Sequence, residues 1–116
     1  MAYRFEGLEI WKLAITYAGK IYQVTENFPK HELYGLTSQL RRAAVSVSSN
    51  IAEGSASESD KDFKNFLNYS IRSIAEVVSE LHIAKSLSYL NEKNYQIFYE
   101  ESELLIKKLT TFRRVL

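Results

Sequence analysis

Residues 34–54 read Tyr-Gly-Leu-Thr-Ser-Gln-Leu-Arg-Arg-Ala-Ala-Val-Ser-Val-Ser-Ser-Asn-Ile-Ala-Glu-Gly, and this stretch decides the fold. Leu36, Leu40, Ala43, Ala44, Val47 and Ile51 recur at steps of three and four, the period of one face of an α-helix. A half-buried strand would instead alternate apolar and polar residues one by one. The spacing predicts a helix from about Tyr34 to Glu53. Gly54 stands where a left-handed C-terminal cap is expected, and Ser55-Ala56-Ser57-Glu58 then forms a short polar turn.

Three further helices extend outward from it. From about Leu8 to Asn27, Trp11, Ala14, Ile15, Ala18, Ile21, Tyr22 and Thr25 keep helical spacing, and Phe28-Pro29 ends the run because a residue before proline is driven out of the α region. Ser59 followed by Asp62 reads as a capping box opening a long helix to about Leu87, with Phe63, Phe66, Leu67, Ile71, Ile74, Val77, Val78, Leu81 and Ala84 on its apolar face. Asn91 is the expected N-cap of a fourth, whose Tyr95, Phe98, Ser102, Leu105, Leu109, Phe112 and Leu116 follow the spacing of a bundle seam. Short links between long helices make sequential neighbours antiparallel. The expected architecture is therefore all-α, a single domain over residues 1–116, folded as an antiparallel up-down-up-down four-helix bundle.

Composition agrees. Four glycines and one proline in 116 residues are too few for the tight turns of a β-sandwich or barrel. An apolar fraction of 46% with 25% charged residues supports a packed core. With no cysteine there is neither a disulfide framework nor a thiolate metal site. No export signal or bilayer-length apolar run is read, so the expected location is cytoplasmic, with no membrane partner. A net charge of +1 means that any nucleic-acid contact must come from a local patch.

Two features exceed what a bundle needs. Ile10, Tyr17 and Val24 recur along one flank of the first helix. Ile97, Leu104 and Val115, with Tyr99 and Ile106 opposite, do so on the fourth. Their recurrence in register suggests a subunit interface, although scattered surface apolar residues are also ordinary. On the second helix, Gln39, Arg42, Ser46, Asn50 and Glu53 fall within a strip roughly 80° wide bordering the core stripe. Amide, guanidinium, hydroxyl and carboxylate can satisfy one another in such a row. It reads either as a device fixing register or subunit contacts, with Arg42 paired to a carboxylate, or as a ligand-facing ridge.

This ridge also carries a resemblance. Phe28-Pro29, Glu32, Tyr34-Gly35-Leu36, Ser38-Gln39, Arg41-Arg42-Ala43-Ala44, Ser46 and Asn50-Ile51-Ala52-Glu53-Gly54 resemble the signature of the four-helix-bundle family encoded by intervening sequences inside bacterial 23S rRNA genes. Leu8, Trp11-Lys12 and Ala14, then Lys61-Asp62-Phe63 and Phe66-Leu67, are similar to it too. Ser48 departs from the proline often found there. The resemblance implies an antiparallel bundle and a ring-like homopentamer. It also implies similarity to the accessory protein of diversity-generating retroelements, which binds nucleic acid and a reverse transcriptase. A ribosomal-protein label carried by some members derives from gene location and is no evidence of ribosome binding.

Enzymatic and metal chemistry find little support. His31 and His82 lie on different segments without helical metal-site spacing, and no Glu-x-x-His pair of the di-iron type occurs. There is no phosphate loop, nucleophile elbow or dinucleotide fingerprint, so no cofactor and no catalytic residue is expected. The bundle topology would gather Arg4, Lys61, Lys64, Arg113 and Arg114 at one pole. With Arg41, these are the candidate nucleic-acid contacts. Near the end of a helix such cations also oppose the macrodipole. The expectation is a non-enzymatic homo-oligomeric accessory module contacting RNA, DNA or a nucleic-acid-processing protein. The alternative is a purely structural or protein-interaction ring.

Overall fold

The computed structural model describes residues 2–116. Four helices form: α1 (Glu9–Thr25), α2 (Leu36–Ser55), α3 (Asp60–Ser86) and α4 (Glu92–Arg114), with short 3-10 turns at Arg4–Gly7 and Lys30–Glu32. No strand occurs among the described residues.

Side-chain pairings fix the helix directions. Between α2 and α3, Ser70 Oγ donates to the Val47 carbonyl at 2.8 Å and Ser73 to Ser46 at 3.0 Å, so rising numbers on one helix meet falling numbers on the other. Between α3 and α4, Phe63 meets Phe112 at one end and Lys85 meets Glu92 at the other. Glu9–Lys108, Tyr17–Ser102 and Lys20–Glu101 do the same for α1 and α4. Each pair is antiparallel, so α1 also opposes α2 and the bundle runs up-down-up-down. It measures 43 × 23 × 21 Å. The starts of α1 and α3 lie together with the ends of α2 and α4.

The core is built from Ala14, Ile21, Leu40, Ala44, Val47, Ile51, Phe63, Leu67, Ile74, Val77, Leu81, Leu105 and Leu109, while Phe28 and Leu90 close it from the connecting segments. Ser59 Oγ accepts from the Asp62 amide at 3.1 Å, and Asn91 Oδ1 from the Asn94 amide at 2.7 Å, so both N-caps form as the sequence suggests.

The structure departs from the sequence reading at two places. On α1 the core face is Ile10, Ala14, Tyr17, Ala18, Ile21 and Thr25, whereas Ile15 and Tyr22 are exposed. The flank of Ile10, Tyr17 and Val24 therefore belongs mainly to the core. The helix is apolar over so wide an arc that hydropathy alone does not fix its rotation. Tyr17 settles it by hydrogen bonding the buried Ser102 hydroxyl at 2.7 Å. Gly54, in turn, is no left-handed cap. It lies within α2, and a Cβ there would fall 2.7 Å from Phe66 Cβ and 2.8 Å from Phe63 Cδ1. Its lack of a side chain lets α2 and α3 approach closely just before the chain turns.

Candidate functional site

At the end of the bundle where α3 begins and α4 finishes, Lys64, Asn68, Thr110, Arg113 and Arg114 line a groove of about 360 Å³. Lys64 and Asn68 are one turn apart on α3, and Thr110, Arg113 and Arg114 occupy the end of α4. Antiparallel packing brings the two sets face to face. Arg113 donates through Nη1 to Asn68 Oδ1, which holds the guanidinium across the groove. None of Lys64, Arg113 and Arg114 has an ion pair among the described residues, and no carboxylate lines the groove.

The other sequence candidates divide. Arg4 lies at the same end, with its guanidinium carbon 5.0 Å from the centre of the Phe63 ring. Lys61 is exposed in the first turn of α3, flanked by Asp60 and Asp62. Those carboxylates concentrate the basic excess on the α3–α4 side instead of spreading it over the whole end. Arg41 belongs to the opposite end. Its Nε donates to Thr25 Oγ1 at 2.9 Å, and the guanidinium carbon lies 4.7 Å from the Tyr22 ring centre. It pins the start of α2 to the end of α1.

The α2 ridge borders the seam with α3. Gln39, Arg42, Ala43, Ser46, Ser73 and Glu76 line a groove of about 450 Å³ there. Asn50 Nδ2 donates to the Ser46 carbonyl at 2.9 Å and to its hydroxyl at 3.0 Å, and Ser46 also receives the Ser73 hydroxyl. The middle of the row is thus mutually satisfied, while Gln39, Arg42 and Glu53 remain exposed. Arg42 forms no ion pair among the described residues, although Glu76 shares its groove.

Sequence reasoning missed a buried carboxyl on α3. Glu80 is buried and its Oε1 has no hydrogen-bond partner. Burial, reinforced by the Glu76 carboxyl one turn earlier, pushes it up to about 7. Its spacing of four from Glu76 was visible in the sequence, but its burial was not. Also missed was Glu32, whose Oε1 accepts from the Leu36 amide at 3.1 Å while Oε2 accepts from the Tyr89 hydroxyl at 3.0 Å. The amide bond, and then the Tyr89 bond, lower its carboxyl below the usual range. Glu32 thereby caps α2 and ties it to the α3–α4 connection. A Cβ on Gly35 would sit 2.7 Å from Glu32 Oε1, so glycine there keeps the cap accessible.

His31 and His82 each lie 3.4 Å from a tyrosine hydroxyl, of Tyr89 and Tyr95 respectively. Among the described residues no three histidines or carboxylates converge as metal ligands. A further cavity of about 250 Å³ separates α1 from α4 beside Leu13, Tyr17, Leu104 and Leu105, bridged by Lys20–Glu101 at 2.8 Å and Lys108–Glu9 at 3.2 Å. No described helix is long and apolar enough to cross a membrane.

The sequence model of the 23S rRNA-intervening sequence protein family matches residues 6–111. The chain belongs to this family. No curated protein matches it. Among solved structures, the chain is similar to a protein of unknown function from the S23 ribosomal protein family of Bacteroides thetaiotaomicron, at 21% identity and a TM-score of 0.79. The alignment covers 90% of this chain and 97% of that one. At that identity the likeness carries the four-helix fold alone.

Proposed function

We propose that the protein is a non-enzymatic, homo-oligomeric accessory module, cytoplasmic in location, that binds nucleic acid through the basic end of its bundle. The observation that carries this reading is the meeting of Lys64, Arg113 and Arg114 on two helices, with no ion pair among the described residues. Cations left unpaired with carboxylates are available to phosphates, and each contact releases condensed counterions. Exposed Ile97, Tyr99 and Leu104 on α4, together with Tyr22, Leu33, Tyr34 and Val45 on the α1–α2 side, supply apolar surface for self-association. Assembly, as a ring of five in the reading drawn from the family resemblance, would present the basic end several times and turn a weak contact into a multivalent one.

The test joins native mass to binding of labelled RNA and DNA over a range of salt. The expected outcome is an oligomer whose affinity falls steeply with salt and drops when Arg113 and Arg114 are both replaced by alanine. Salt-independent binding, or none to either nucleic acid, overturns the reading.

The exposed Arg42 beside Glu76 favours a second reading, a structural or protein-interaction ring whose α2 ridge lies between subunits. Here Arg42→Ala dissociates the particle on light scattering and Arg113→Ala leaves it intact.

A further inference from the structure

We propose that the α3–α4 groove is a built seat for a single nucleic-acid phosphate, in which Asn68 positions Arg113 and Thr110 supplies a hydroxyl donor. This rests on the nucleic-acid reading above and deepens it, from a basic end to a defined site.

Three properties separate this groove from a collection of surface charges. It brings Lys64, Arg113 and Arg114 together from two helices without a lining carboxylate. A phosphate entering it therefore displaces no internal ion pair and meets no like charge. Arg113 is only half-exposed and already held by Asn68. A guanidinium has five donors in a planar fork, so the one given to Asn68 leaves four and restrains the side chain to the groove. Restraint before binding removes part of the ordering cost. Finally, the two uncharged members are residue types that complete a phosphate shell. Asn68 and Thr110 both line the groove, and the bond to Arg113 engages only the Asn68 Oδ1, which leaves its Nδ2 group as a donor beside the Thr110 hydroxyl.

Arg113 and Arg114 also lie in the last turn of α4, where cations oppose the helix dipole. That role accounts for their charge. It does not account for the bond that turns Arg113 across to α3, nor for Lys64 facing it from the second turn of the neighbouring helix.

The experiment measures the affinity of a fluorescent single-stranded oligonucleotide across a salt series for the whole protein and five variants. Removing a charge and removing its positioner leave different signatures. Arg113→Ala should weaken binding and reduce the salt slope by about 0.7 for each phosphate that is no longer neutralised. Asn68→Ala should weaken binding by roughly 3- to 10-fold and Thr110→Val by roughly 2- to 5-fold, both with the slope unchanged because no charge is removed. Asn68→Asp, which sets a carboxylate against Arg113, should cost more than roughly 10-fold. Lys30→Ala, an equal change in charge at the opposite end, should alter neither quantity. Inorganic phosphate should compete with the oligonucleotide in the unmodified protein and lose that ability in Asn68→Asp.

If Asn68→Ala and Thr110→Val bind as the unmodified protein does while Arg113→Ala is weakened, the seat is overturned and the basic end survives as a diffuse electrostatic surface. If Arg113→Ala also binds normally, both readings fall. Binding of inorganic phosphate without any oligonucleotide binding overturns the nucleic-acid assignment. Melting temperatures within a degree or so of the parent show that the polar variants act at the site and not through folding.

Discussion

Two glycines inside helices have opposite surroundings, and the same substitution should move stability in opposite directions at them. Gly19 lies within α1 on its exposed face, where an added Cβ meets nothing within 4 Å. Gly19→Ala relieves the cost of an interior helical glycine, about 0.8–1 kcal/mol. Gly54 is buried near the end of α2, where the added carbon would sit 2.7 Å from Phe66 Cβ and 2.8 Å from Phe63 Cδ1. Phe66 Cβ is one bond from the backbone and cannot give way by rotating, so α3 itself must shift. Forcing a methyl into such a contact costs about 1–3 kcal/mol. Helix propensity returns less than at Gly19, because the position is close to the helix end. The net loss is about 1–2 kcal/mol.

An unfolding entropy of roughly 2 cal/mol/K per residue makes 1 kcal/mol worth about 4 °C in a chain of this length. Gly19→Ala should therefore melt about 3–4 °C above the parent and Gly54→Ala about 4–8 °C below it. Far-ultraviolet circular dichroism at one fixed protein concentration is the assay, because assembly makes melting temperature depend on concentration. A Gly54→Ala protein as stable as its parent refutes the close approach of α2 and α3. A Gly19→Ala protein less stable than its parent refutes an open outer face on α1.

The buried Glu80 carries a pH prediction. Its folded value of about 7 lies above the unfolded value of 4.5, so the native state holds the proton more tightly. Its contribution to stability is thus fully present below pH 4.5 and is lost as pH rises through 7. Glu80→Gln removes this dependence and should stabilise the protein near pH 8 by about 1–3 kcal/mol, a range discounted because solvent reaches the exposed Glu76 beside it. Urea titrations at acid and alkaline pH test this, and parallel pH profiles for parent and variant contradict it. Tyr17 is pushed up to about 12 by burial, opposed by its bond to Ser102. Spectrophotometric titration should show a component ionising near pH 12 that is lost in Tyr17→Phe. That variant should also lose about 1–2 kcal/mol as the Ser102 hydroxyl is stranded, and an unchanged titration curve contradicts the assignment.

Features repeated along one helix were legible in the sequence, whereas those requiring two helices to be laid side by side were not. The apolar stripe of Leu36 to Ile51 gave α2, and Ser59 and Asn91 marked the starts of their helices because each cap acts within one turn. The rotation of α1 was not legible, since Ile10, Tyr17 and Ile21 compete with Trp11, Ile15 and Tyr22 on hydropathy. The partner that decides between them, Ser102, lies on α4. Gly54 misled for a related reason: a glycine after an apolar run looks like a cap, and only Phe63 and Phe66 across the seam reveal a packing role. The basic end could be placed by topology from charge alone. Asn68 and Thr110, carrying no charge, acquired meaning only once Arg113 was seen reaching across to α3.

The two ends of the bundle use their charges differently, and this contrast bears on function. At the end carrying the α1–α2 connection, Arg41 is bound to Thr25, and Glu32 caps α2 while holding Tyr89. Those groups are consumed by the fold. At the other end, Lys64, Arg113 and Arg114 line one groove that no carboxylate lines, and among these three only Arg113 is held by a side-chain hydrogen bond, to Asn68. With a net charge of only +1, the protein has little long-range field with which to draw in a polyanion. Contacts at physiological salt are screened beyond about 8 Å. A single subunit must therefore rely on the few donors within its groove, and useful affinity depends on presenting that groove more than once. In the proposed mode of action, assembly and binding are consequently coupled. A variant that dissociates the oligomer while leaving every groove residue intact should lose nucleic-acid affinity nearly as fully as one lacking Arg113 and Arg114.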